Sequence, residues 1–195
     1  MTDIQLLAHA LNAYSGIDEA AFALSAPSWK QREYGKGEFY NARGSVCKYL
    51  GFILEGVFRT YYPDDKTGTE KNLFFFSKNQ IVVSFKSFVQ SEPCSYFTQS
   101  MTAGRILYIH VDDLTNLYRS SHQWEHFGRL MAEQAFDLAM FRTESFLFMS
   151  PEERYLRLVS EHPDIFNSVP LYHISSFLGI AGPSLSRIRK RISEK

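Results

Sequence analysis

The segment Leu171–Ile192, LYHISSFLGIAGPSLSRIRKRI, decides the fold of this chain. Ile174, Phe177 and Leu178 put an apolar edge on a short helix. Gly179 follows, suited to the left-handed conformation that ends a helix sharply. Ile180 is an apolar residue inside the turn, placed to plug the angle between two helices. Ala181-Gly182-Pro183 opens a second helix with proline in its first turn. At 100° per residue, Leu185, Ile188 and Ile192 dock this helix, while Pro183, Ser184, Arg187, Lys190 and Arg191 share a different arc. A helix, a tight glycine turn and a second helix with one apolar and one basic face make a helix-turn-helix. Cations favour helix C-termini anyway, so charge alone would signify little. The apolar spacing is what sets the segment apart.

The chemistry follows from the geometry. A second helix laid in the major groove reads base edges with its N-terminal half, and hydroxyls and cations around it hold phosphates. The planar fork of Arg187 matches the O6 and N7 acceptors of guanine. Ser184, Lys190 and Arg191 suit phosphate, as do the first-turn amides of the second helix.

Outward from this segment, Ser150-Pro151-Glu152-Glu153 carries a helix start: Ser as N-cap, Pro at the first position, Glu completing a capping box. That helix carries Tyr155, Leu156, Leu158 and Val159 and stops at Glu161-His162-Pro163. Before it, residues 121–149 contain neither Gly nor Pro apart from Gly128, and Phe127, Met131, Ala135, Leu138, Phe141, Ser145 and Phe148 follow steps of three and four. A helix of about 28 residues would be about 42 Å long. Leu130, Phe136, Met140 and Phe146 lie off that stripe, so the helix is apolar on more than one side, and a second copy of the chain is the economical cover.

From about Lys30 to His110 the chain reads as short strands. Gly51–Tyr62 and Lys71–Phe76 flank the polar tip Pro63-Asp64-Asp65-Lys66-Thr67-Gly68 and read as a hairpin. Glycines at short intervals suit an antiparallel roll. The expected fold class is therefore α+β: an N-terminal roll with N-terminal helices over residues 1–120, a long dimerisation helix over 121–149, and a helix-turn-helix unit over 150–195.

Composition bounds the reading. The 195 residues carry 21 basic and 21 acidic groups, and 45% are apolar, which excludes a disordered chain. No apolar run approaches the roughly 20 residues of a membrane span, and the N-terminus lacks a signal-peptide pattern, so a cytoplasmic protein without a membrane partner is expected. Neutrality hides regional bias: residues 111–150 hold 3 basic and 6 acidic groups, and residues 187–195 hold 5 basic and 1 acidic. A basic tip on an acidic helix is compatible with DNA.

The order of roll, long helix and terminal helix-turn-helix resembles the catabolite-activator and fumarate-nitrate regulator family (CRP/FNR). The resemblance spans about residues 25–193 and rests most on LGIAGPSLSRIRK, SPEERYLRLVSEHP and GFILEGVFRTYYPDDKTGTE. It implies a homodimeric transcription factor with a cyclic-nucleotide-binding-type roll, acting on double-stranded DNA and on the transcription machinery. Gly182, Pro183 and Arg187 fall at the base-reading positions, and only Arg187 keeps the usual chemistry. In the phosphate cassette, Val83-Ser84 replaces Gly-Glu and Cys94-Ser95 replaces Arg-Ser/Thr, so ordinary cyclic AMP binding is not expected. The candidate ligand residues are Val83, Ser84, Phe85, Cys94 and Ser95, for an effector of unknown identity. The rings of Phe85, Phe88, Tyr96 and Phe97 either line an apolar ligand pocket or fill the space a nucleotide would take.

No cofactor, metal site or catalytic residue is expected. Two cysteines cannot supply an iron–sulfur cluster's four thiolates, and a lone Cys94 suits a small buried residue better than a redox switch. A cupin-type enzyme needs histidines on strands, and none of the six lies between residues 11 and 109. The alternative to a DNA-binding regulator is an interaction module built on the roll and long helix.

Overall fold

β-Branched and aromatic residues between Lys30 and His110 alternate across two antiparallel four-stranded sheets in the computed structural model, which describes residues 1–193. Glu194 and Lys195, counted above in the basic tip and the terminal unit, lie outside the described residues. The first sheet has the order β1 (Lys30–Tyr34), β8 (Gly104–His110), β3 (Tyr49–Glu55), β6 (Ile81–Val82). The second has the order β2 (Phe39–Asn41), β7 (Phe97–Ser100), β4 (Phe58–Pro63), β5 (Glu70–Phe76). Ile53, Ile106, Phe58, Val82 and Tyr34 fill the space between the sheets. Because side chains alternate, the opposite face of the first sheet presents Leu50, Phe52, Leu54, Leu107 and Ile109 to the helices.

Those helices are α1 (Asp3–Ser15), α2 (Glu19–Ser25), the cassette helix α3 (Phe85–Gln90), α4 (Val111–Ser120) and the first half of α5 (His122–Phe148). Leu7, Leu11, Leu114, Trp124 and Phe127 close that core, and the Trp124 indole donates to the Ala21 carbonyl at 2.9 Å. At 27 residues α5 is about 40 Å long, in agreement with the sequence pattern. A second core of Tyr155, Leu158, Ile165, Ile174, Leu178, Leu185 and Ile188, with Val57, Phe75 and Met101 of the roll, unites α6 (Pro151–Glu161), α7 (Pro163–Ser168), α8 (Leu171–Leu178) and α9 (Gly182–Ser193). The Ser150/Glu153 capping box forms as expected, with both reciprocal bonds present. Pro163 does more than stop α6, since it opens α7. No helix among the described residues is long and apolar enough to cross a membrane.

Gly51–Tyr62 does not form one arm of the expected hairpin. Gly51–Tyr62 is two strands: β3 ends at Glu55, β4 starts at Phe58, and they lie in different sheets. The hairpin is β4–β5, with Pro63 opposite Glu70 across the polar tip. Gly56 makes the crossing possible at φ +95°, where a Cβ would lie 2.7 Å from the Gly104 Cα and 2.8 Å from the Ala103 carbonyl oxygen. Both neighbours are backbone and neither can give way. Gly56→Ala is expected to destabilise the chain by about 2–4 kcal/mol, read from the urea midpoint. An unchanged midpoint would show that the crossing tolerates a side chain.

Candidate nucleic-acid interface

The turn between α8 and α9 is closed by two hydrogen bonds. The Gly179 amide donates to the Ser176 carbonyl at 3.2 Å, and the Ile180 amide donates to the Ser175 carbonyl at 2.9 Å. This is a Schellman pair, and Gly179 takes the left-handed conformation it requires at φ +64°. A Cβ there would sit 2.5 Å from the Phe146 ring. Ile180 is buried against the terminal core, as are Leu185 and Ile188. That packing turns the other side of α9 outward: Gly182, Pro183, Arg187, Lys190 and Arg191 are exposed and Ser184 is half-buried.

The exposed groups are partly engaged with one another. Arg187 folds back, donating from Nη2 to the Ser184 hydroxyl at 3.3 Å and from Nε to the Pro183 carbonyl at 3.4 Å. Arg191 pairs with Glu152 in the first turn of α6. Exposed ion pairs contribute about 0–1 kcal/mol, so releasing Arg191 to another anion costs little. Of the six residues singled out in the sequence, Ser184, Arg187 and Arg191 line one depression with the α6 start, Ser150 to Glu152, beside it.

A buried polar cluster fixes this unit to the roll. Arg59 on β4 is 4% exposed, and its Nη1 donates to Glu70 Oε2 at 2.5 Å and Asn72 Oδ1 at 3.3 Å. Its Nε and Nη2 donate to Gln99 Oε1 at 3.3 and 2.8 Å. The guanidinium also lies 3.9 Å from the Tyr61 ring centroid. Across the boundary, Arg59 Nη1 lies 2.8 Å from Nδ1 of His173 on α8. Arginine can only donate, so Nδ1 accepts and the imidazole proton sits on Nε2. Burial, followed by the adjacent Arg59 charge, lowers the His173 pKa to about 4, against a smaller opposing effect of Glu70. The Ser176 hydroxyl donates to the Glu70 carbonyl at 2.7 Å and accepts from the Asn72 amide at 3.1 Å, adding two more ties between α8 and β5.

Two further arginines lock the end of α5. Arg142 donates to the Phe177 carbonyl and lies over the Phe146 and Phe177 rings. Arg154 donates to the Leu178, Met149 and Ser145 carbonyls, so one side chain satisfies helix-end carbonyls of both α8 and α5. Burial, with Arg154 nearby, lowers the Arg142 pKa to about 10. None of Arg59, Asn72, Arg142, Arg154 and His173 was singled out in the sequence. The available signal was weak: an arginine on an apolar strand and a histidine beside an apolar helix edge.

The cassette is divided. Val83 and Phe85 line a cavity of about 540 Å³ between the roll and α5, together with Tyr96, Phe74, Met131 and Leu138. No Lys, Arg, Asp or Glu lines it among the described residues. The other three candidates point elsewhere. Ser84 is fully buried and bonded to Thr98. Cys94 is buried, its backbone joined to Gly44 and Ser45, and Ser95 is exposed. Phe88 and Phe97 do not line the cavity: Phe88 joins the helix-side core, and Phe97 stacks on Tyr61.

No family model and no curated protein sequence matches the chain. Solved structures do match it. FixK2 from Bradyrhizobium japonicum aligns with a TM-score of 0.72 at 13% identity, over 85% of each chain. The c-di-GMP responsive global regulator CLP of Xanthomonas campestris aligns at 0.65 and 15% identity, over 91% of this chain and 92% of that one. The Thermus thermophilus catabolite activator protein aligns at 0.57 and 15%, over 95% and 87%. Cyclic-AMP-bound PfPKA-R (141–441) matches with a TM-score of 0.53 at 12% identity over 59% of this chain, which spans only 41% of its length. At these identities the likeness is one of fold alone, shared with FixK2, CLP and the catabolite activator protein.

The lowered His173 pKa makes the docking sensitive to acid. The unfolded chain takes up a proton at His173 near the ordinary value of about 6.5, and the folded chain resists until about 4. Stability from this group is complete above pH 6.5 and is lost as pH falls toward 4. His173→Gln keeps an acceptor for Arg59 and removes the titration. The urea midpoint of the variant should therefore fall less steeply between pH 6.5 and 4 than that of the parent. Parallel curves would show that His173 does not titrate in this window.

Proposed function

We propose that this chain is a homodimeric, DNA-binding transcriptional regulator that reads a near-palindromic operator with α9 and is not an enzyme. The observation that carries the reading is the α8–α9 pair: a Schellman turn at Gly179, buried Leu185 and Ile188, and an outward Arg187, Lys190 and Arg191. On this reading Arg187 reads a guanine, Ser184, Lys190 and Arg191 hold phosphates, and Gly182 and Pro183 permit close approach without donating. The fold shared with FixK2, CLP and the catabolite activator protein supports it.

The surface of α5 supports the dimer. Its first half buries Trp124, Phe127 and Met131 beside α1 and α4, but its second half leaves Phe136 65% and Leu147 69% exposed, with Met140 exposed between them. These three fall within about 40° on a helical projection, on an arc of about three turns that Thr143 shares. An exposed apolar arc of this kind suits a second copy of the same helix across a two-fold axis. The ranges 1–120, 121–149 and 150–195 then act as sensor, coupling helix and reader, acting with the transcription machinery in the cytoplasm.

Cyclic AMP in its ordinary mode does not suit this roll. A cyclic phosphate needs a cation or several donors when buried, and the apolar cavity beside Val83 and Phe85 offers no Lys or Arg among the described residues. Any effector taken up there acts only if it binds the DNA-competent arrangement more tightly than the other.

Selection of bound genomic fragments, followed by fluorescence anisotropy, tests the function. Arg187→Ala should lose about 1–3 kcal/mol on the best site and relax preference at one base pair of each half-site. If no fragment is selected, or if the variant binds unchanged, α9 is not the reader. Leu147→Glu places a charge in the apolar stripe. It should shift the chain toward monomer in sedimentation and weaken operator binding in parallel, whereas unchanged sedimentation would place the interface elsewhere.

A further inference from the structure

At the end of the roll a second cavity, about 210 Å³, opens between the two sheets. It is formed by residues 32–49 with Tyr108, and shares no lining residue with the larger cavity beside α5. Its walls are the rings of Tyr34, Tyr40, Tyr49 and Tyr108. The Tyr40 hydroxyl donates to the Tyr49 carbonyl at 2.6 Å and is committed. The hydroxyls of Tyr34 and Tyr108 make no hydrogen bond among the described residues.

Asn41 lies in the same wall. It is 8% exposed, and its side-chain nitrogen has no hydrogen-bond partner, unlike every other buried side-chain nitrogen or oxygen among the described residues. Buried polar groups are nearly always paired, because leaving one unpaired costs about 1–3 kcal/mol. Two cations complete the lining. Arg32 sits 4.5 Å above the Tyr34 ring and gives one bond to Glu38 at 2.8 Å, which leaves the rest of its donors free of that carboxylate. Lys48 is exposed beside it.

We propose that this cavity binds a small planar carboxylate, a single aromatic ring bearing one acid group. The size fits one ring: a dry cavity of about 150 Å³ takes up benzene, and this one leaves room for a carboxylate as well. The chemistry fits an acceptor. Arg32, Lys48 and two tyrosine hydroxyls are donors around one space, and the tyrosine rings provide flat contact for the ring. The segment forming the floor is also tied to the cassette: the Cys47 amide donates to the Ser87 hydroxyl at 2.9 Å, and the Cys94 amide donates to the Ser45 carbonyl at 3.0 Å. A ligand ordering residues 41–49 would therefore stiffen the segment that frames the larger cavity. The site stands whether or not α9 binds DNA.

The probe is 4-hydroxybenzoate, titrated into the full chain by calorimetry with ¹⁵N-resolved amide shifts as a second readout. A ligand of this size should bind with a Kd between about 10 µM and 1 mM. The amides of residues 32–49 and 108 should shift, and 4-methylphenol, which lacks the acid, should bind at least about tenfold more weakly. Arg32→Gln and Lys48→Gln are surface changes that leave the core intact, and together they should weaken binding at least about tenfold. No saturable binding up to about 10 mM, shifts confined to other residues, or equal affinity in the double variant would each overturn the proposal.

Discussion

A buried arginine cannot stand alone in a protein interior, and the arrangement of this chain turns on how Arg59 is satisfied. The effective cost of burying an unpaired charge is several kcal/mol, so its donors must all find acceptors. Gln99 comes from β7, Glu70 and Asn72 from β5, and His173 from α8 of the terminal unit. The last of these makes the position of α8 part of the solution to a problem in the roll. Arg142 and Arg154 repeat the device at the end of α5, where they satisfy carbonyls that the helix ends leave open. Three arginines thereby join roll, long helix and terminal unit, while the packing of Leu185 and Ile188 turns the other face of α9 outward.

The joint combines this polar cluster with apolar contact, since Val57, Phe75 and Met101 of the roll belong to the same core as Ile174 and Leu178. Apolar contacts tolerate sliding, whereas a fork of arginine donors with fixed acceptors has few equivalent arrangements. A joint of this kind suits a protein whose output depends on the placing of one unit relative to another. It also explains why His173 must be neutral: a charged imidazole would meet the guanidinium at 2.8 Å with no free acceptor on Nδ1.

The local part of this structure was legible in the sequence. Gly179, Ile180, Leu185 and Ile188 define the terminal turn within ten residues, and Ser150 to Glu153 define a helix start within four, because turns and caps are decided by neighbours along the chain. The long helix was legible from its lack of breakers, Gly128 apart, where the close approach of Tyr118 explains the glycine. What remained hidden depends on distance in sequence. Arg59 and His173 are 114 residues apart, and nothing in either neighbourhood announces the other. The break at Gly56 was hidden for a different reason: both flanking segments are strand-like, and only the sheet topology separates them. The cassette divided similarly, since Val83 and Phe85 meet the larger cavity while Ser84, Cys94 and Ser95 serve the roll's own packing.

Region by region, the neutral total charge resolves into a basic tip, an acidic long helix and a balanced roll, which suits contact with DNA at one end alone. The most direct measurement is a hydroxyl-radical footprint of the full chain on a genomic fragment selected by binding. Two α9 helices related by a two-fold axis predict two protected patches centred about 34 Å apart, one turn of the duplex, with mirror-related edges. A single patch, a diffuse footprint or no protection would contradict the account.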